Sequence, residues 1–100
     1  MDVSDIDNAG FQTPILFVIF NRPSTTKLVF NQIKKIKPTK LFIAADGPRA
    51  GNQDDAVKSL QARKIIDEID WNCDVFTLFR GENMGCGKAV SSAINWFLLL

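Results

Sequence analysis

The sequence predicts an α/β fold: a three-layer βαβαβα arrangement around a Rossmann-like parallel sheet with strand order 3-2-1. Three observations predict it. Short apolar runs at 14–20, 41–45 and 75–79 each lead into a polar loop and then a segment of helical period. The first is continuously apolar rather than alternating, which suits a strand covered on both faces. Crossovers between parallel strands are right-handed in about 98% of cases, so the helices have little freedom of placement.

Residues 1–12 are polar, carry Asn8-Ala9-Gly10 and read as a loose arm; the folded unit is 13–100. The first strand, about 14–20, opens on Pro14, acceptable as a first strand residue. Asn21 caps the next helix, which Pro23 or Ser24 opens. Val29, Ile33 and Ile36 give that helix an apolar face as far as Lys37, and Pro38 marks its end. The second strand turns at Asp46-Gly47-Pro48, and 51–53 extend the loop.

Val57, Leu60, Ile65, Ile66 and Ile69 predict a second helix over about 54–70, with Asp54 and Asp55 at its electropositive start. A third strand covers about 74–79. The last helix begins near 85–88 and shows the cleanest period: Cys86, Ala89/Val90, Ala93/Ile94, Phe97. In this order strand 1 is the expected centre of a larger sheet, yet here it is left as an apolar edge, which natural domains usually avoid. The stretch 96–100 has neither a Gly or Asn cap nor a polar tail. The chain therefore reads as the N-terminal part of a longer one. The strand edge and apolar tail also offer a surface on which a second copy could form a homodimer.

Composition narrows the function. With 46% hydrophobic residues in 100, one small domain can form a core without staples. A net charge of +1 argues against a nucleic-acid binder, while Arg22, Arg49, Arg80 and Lys88 remain available for a local cationic pocket. There is no histidine, which removes Ser-His and Cys-His nucleophile pairs. Cys73 and Cys86 form neither a CxxC nor a zinc pattern and read as reduced thiols. The acidic start is the opposite of a signal-peptide n-region, no run of 18 apolar residues exists, and sequons are absent, so the location expected is cytoplasmic.

Open α/β sheets bind ligands outside the carboxyl ends of their strands. In the first loop, Asn21-Arg22-Pro23-Ser24-Thr25, helix N-terminal amides attract anions and Arg22 could grip a phosphate; the alternative is a capped helix with a surface arginine. In the second, Asp46 is placed to accept a base or ribose donor, or equally to close a plain turn on its own backbone. The third, from Gly81 to Ala89, imitates a phosphate-binding P-loop. Five residues separate Gly81 from Gly87, and Ala89 lacks the magnesium-binding hydroxyl, so a nucleotide hydrolase is rejected. No GxGxxG follows strand 1, and Asp5-Ile6-Asp7 lies on the polar arm without the rigid support a metal pair needs.

Together, the residues from Thr13 through Asn21-Arg22-Pro23, the stretch from Leu41 through Asp46-Gly47-Pro48-Arg49, and Asn83-Met84-Gly85 ahead of the stretch from Ala89 to Trp96 resemble the start of a GT-A glycosyltransferase. The likeness is to bacterial nucleotide-diphospho-sugar transferases and, more distantly, to N-acetylglucosaminyltransferases, over about 13–97. It implies the N-terminal half of that fold: the nucleotide-binding segment of a hexosyl-transferring enzyme with a nucleotide-diphosphate sugar as donor, a UDP-sugar first, and an unspecified acceptor.

By the resemblance, the segment that embraces the nucleotide falls on Phe20, Asn21, Arg22 and Pro23. The acidic residue reading the nucleobase or ribose falls on Asp46, with Gly47 and Arg49 beside it. Asn83 and Gly85 line the sugar-nucleotide pocket, and Lys88 or Arg80 approaches the diphosphate. The family's divalent metal, Mn or Mg, sits on an Asp-x-Asp after a fourth strand, where it stabilises the developing diphosphate charge. No metal ligand or catalytic group is therefore assigned here, and the chain alone is expected to bind without transferring. Two rival readings are a flavodoxin-like receiver module, for which Asn21-Arg22 stand where acidic residues belong, and a self-associating structural fragment without chemistry.

Overall fold

A computed structural model describes residues 12–99. Nearly all of the expected arm, Asp5-Ile6-Asp7 within it, and Leu100 of the apolar tail lie outside the described residues. Three strands, β1 (Ile15–Ile19), β2 (Lys40–Ala45) and β3 (Asp74–Phe79), form one parallel sheet in the order β1-β2-β3. That is the 3-2-1 row seen from its other edge. Ile15 lies beside Leu41 and Leu41 beside Val75, so the carboxyl ends of all three strands reach the same rim.

Side chains alternate across the sheet, and the two faces are covered by different elements. Toward one face, Phe17, Ile19, Leu41, Ile43 and Ala45 pack with Phe30 and Ile33 of α1 (Pro23–Ile36), Ala62 of α2 (Gln53–Arg63), and Ile65 of the 3-10 turn Lys64–Glu68. Phe30, Leu41 and Ile43 are fully buried. Burial of such side chains stabilises by about 1.5–3 kcal/mol each. Toward the other face, α3 (Cys86–Leu99) meets an aromatic cluster: Phe42 stacks on Phe76 at 4.6 Å and meets Trp96 and Phe97 edge-on at 5.4 and 4.9 Å. The Trp71 indole N–H donates to the Pro38 carbonyl at 2.9 Å and steadies the approach to β3.

Each helix departs somewhat from its expected face. In α1 the buried residues are Thr26, Phe30 and Ile33, whereas Val29 and Ile36 are exposed. Phe30 is the largest side chain on the helix and turns its own face to the sheet. Asn21 does not cap α1. Arg22 holds the N-cap position and makes no side-chain cap bond, since a guanidinium has no acceptor to offer, while the Asn21 side-chain amide donates to Asp55. Lys37 closes the helix in the left-handed region, φ 53°, and its amide bonds back to Ile33.

The second helix differs most. It ends at Arg63 and tightens into the 3-10 turn, and Asp55, Ser59 and Ala62 face inward while Val57 and Leu60 are 54% and 60% exposed. Small residues let the helix pack closely, and the change of period carries Ile65 into the core. In α3 the expected face is confirmed at Ala89 and Ala93, with Cys86, Val90 and Ile94 turned to the exposed side. Among the described residues β1 pairs only with β2, leaving it an apolar edge with Val18 exposed. No helix among them is long and apolar enough to cross a membrane.

Candidate functional site

Asp46 follows β2 directly and is buried. Its carboxylate accepts four hydrogen bonds. The Gly47 and Met84 amides donate to Oδ1, both at 2.9 Å; Asn83 Nδ2 and the Gly85 amide donate to Oδ2 at 3.0 and 3.2 Å. A carboxylate offers about four lone-pair directions, so this group is fully engaged. Asn83 Nδ2 also donates to the Gly47 carbonyl at 3.0 Å, leaving its amide oxygen as the acceptor it can offer elsewhere. The third loop is thereby latched onto the second.

Gly47 makes the latch sterically feasible. A Cβ at this position would stand 2.5 Å from the Glu82 backbone nitrogen and carbon, closer than any side chain can approach. Gly85, at φ 88°, turns the chain into α3 through a conformation that favours glycine. Arg63 secures the strand ends beneath: Nη2 donates to the Asp46 carbonyl at 3.0 Å and to the Arg80 carbonyl at 2.6 Å, with its guanidinium over the Phe79 ring. Burial pushes the Arg63 guanidinium below its ordinary pKa, with the Asp46 charge opposing.

A second junction joins the first two loops. Asp55, 1% exposed, accepts Asn21 Nδ2 on Oδ1 at 2.8 Å. Arg49 closes on the same carboxylate with Nε to Oδ2 at 2.6 Å and Nη2 to Oδ1 at 2.8 Å, and the Arg49 amide adds a bond at 3.1 Å. The Arg49 hydrogen bond holds the Asp55 carboxyl well below the usual carboxylate range, against the opposing effect of burial. The Arg49 guanidinium is held above its ordinary value by the same partner. Asn52 caps α2, its side chain accepting the Asp55 amide at 2.9 Å.

Between these junctions lies a cleft of about 360 Å³ at the carboxyl rim. Its polar side is Asp46, Arg49, Asn83 and Gly85; its apolar side is Val18, Ile19 and Phe20 facing Ala89 and Val90. Arg49 and Asn83 also border a second depression, of about 470 Å³, over 48–53 and 81–83. Arg22 and Pro23 are not in the cleft: with Asn21, Ser24, Thr25 and Lys58 they line a separate hollow of about 440 Å³ at the start of α1. Asn21 ties the first loop to Asp55, and Arg22 also borders a smaller hollow of about 180 Å³ against Val18, Ile19 and Phe20. Lys88 stands exposed on α3 and borders none of these hollows. Arg80 reaches Ser92 of α3 instead of the rim, and its amide bonds the Ala45 carbonyl.

Among the described residues no group of three His, Cys, Asp or Glu is placed to hold a metal ion, and the two buried carboxylates at the rim are spent on their own chain. Cys73 and Cys86 are free thiols. Sequence reasoning assigned Asp55 only to the helix dipole and passed over Arg63. A signal for Asp55 existed: Asp55, Ser59 and Ala62 recur at +4 and +7, an inward stripe of small side chains containing one charge. No protein-family model, curated protein or solved structure matches the chain.

Proposed function

We propose that this chain is the nucleotide-sugar-binding part of a glycosyltransferase of GT-A type. The supporting observation is that Phe20, Asp46, Arg49, Asn83 and Gly85, drawn from all three loops, border one cleft at the carboxyl rim of a parallel sheet. Open α/β sheets hold ligands at such a rim. An apolar wall with a few convergent polar groups suits a nucleoside, and Arg49 can supply a charge-assisted contact to its phosphates.

Within this reading Asp46 acts first as a latch. A ligand donor reaches it only by displacing Asn83 or a backbone amide, so direct recognition falls to Arg49 and the Asn83 amide oxygen. Arg22 and Lys58, beside the start of α1, form a secondary cationic hollow. The activity these residues carry is donor binding; no transfer step is assigned to them. The saturated Asp46 carboxylate counts against the receiver-module reading, in which an aspartate must accept a phosphoryl group.

Binding to the folded state alone raises the melting temperature. Millimolar UDP is expected to raise Tm and to shift the amide resonances of Phe20, Arg49 and Asn83. If UDP, GDP, CMP and TDP all leave Tm and these resonances unchanged, the donor assignment fails.

A further inference from the structure

The structure assigns a role to a residue that touches none of the hollows: we propose that Asp55 is the positioning residue of the site. It fixes Asn21 and Arg49 in one arrangement and thereby sets the affinity for the anionic part of the donor. The affinity half of this rests on the nucleotide reading above; the coupling half does not.

Asp55 sits in the first turn of α2, yet its side chain is 1% exposed and collects donors from both neighbouring loops. Arg49 is the opposite kind of residue, with a side chain 59% exposed. Two of its N–H donors close on Asp55 in a side-on fork, and the remainder of its five are free to bind a ligand. An exposed arginine normally samples many rotamers, and ordering one on binding carries an entropic cost. The fork removes that freedom in advance. Asn21 enters the same carboxylate from the first loop, so the two loops share a single anchor. Asn52 and the Arg49 amide complete the enclosure, which holds Asp55 itself in place.

Positioning and simple electrostatics predict opposite signs. Asp55→Asn removes a negative charge beside Arg49, which by charge alone would tighten binding of an anion. It also dissolves the fork, which by positioning weakens binding. The expected result is UDP affinity about tenfold weaker in Asp55→Asn, the scale of one charge-assisted contact. Arg49→Lys, which keeps the charge but cannot form the fork, should weaken it similarly, and the double variant should be no weaker than either alone. Unchanged or tighter binding by folded Asp55→Asn overturns the proposal.

A ligand-free measurement on the full chain keeps the test open should Asp55→Asn fail to fold. The Arg49 Nε–H resonance should be resolved and slow to exchange in the wild type, and Asn21→Ala should shift it, because both side chains bind one carboxylate. An unmoved resonance rules out the coupling. If the resonance moves while the wild type binds no nucleotide, the donor reading and the affinity role fall together and the shared anchor stands.

Discussion

Asp46 and Asp55 are both buried carboxylates at one end of the sheet, and they are satisfied by opposite means. Asp46 accepts neutral donors, three backbone amides and one side-chain amide, all from its own and the third loop. Asp55 accepts a charged guanidinium on a mostly exposed side chain, together with an amide from the first loop. The first junction is geometric: it defines where the 83–85 loop lies. The second is electrostatic and borders solvent, so pH and ligands can act on it. A buried charge with fixed dipoles around it builds the wall of a cleft, and a charge paired with an exposed arginine orients the group that faces the ligand.

The largest expected effect breaks the first junction. Asp46→Asn replaces an acceptor oxygen with an NH2 group facing backbone N–H donors, and should cost about 2–3 kcal/mol. Urea denaturation measures it, and a loss confined to a few tenths would mean the latch contributes little. Next comes Gly47→Ala, whose new methyl meets the Glu82 backbone. Displacement of the third loop should cost about 1–3 kcal/mol, the usual range for overpacking, with amide shifts concentrated at 82–85. Shifts confined to 46–48 would show that the loop yields without strain.

At Asp55 the variable that tests the junction is pH. Its folded pKa lies well below the unfolded value of about 3.9, held down chiefly by Arg49. A depressed carboxyl contributes its full stabilisation above the unfolded value and loses it as pH falls toward the folded one. The Tm curves of wild type and Asp55→Asn should therefore run parallel from about pH 5 to 8 and converge below about pH 4. Curves that stay parallel into acid would show that the ion pair adds no stability.

Much of this architecture is legible in the sequence. The strands were readable because 14–20 and 41–45 are apolar without interruption, and the loops because Asn21-Arg22-Pro23 and Asp46-Gly47-Pro48 interrupt them sharply. The inward faces of α1 and α2 were less legible. Hydrophobic period placed Val57 and Leu60 inside, but Asp55 takes the buried face because Arg49 and Asn21 satisfy its charge there. Period alone carries no information about a polar residue whose partners are 6 and 34 positions away.

What the chain itself determined is the local grammar: three apolar strands, the breaks after them, the prolines and glycines that start and stop helices, and the grouping of polar loops on one rim. Those follow from backbone sterics and side-chain period, which act over a few residues. Only the tertiary structure decided that Asp46 would be used up by the 83–85 loop, that Arg22 and Arg49 would point into separate hollows, and that Asp55 would join two loops. Each of these depends on which donor comes within about 3 Å of which acceptor once the sheet has formed, a distance no spacing along the sequence encodes.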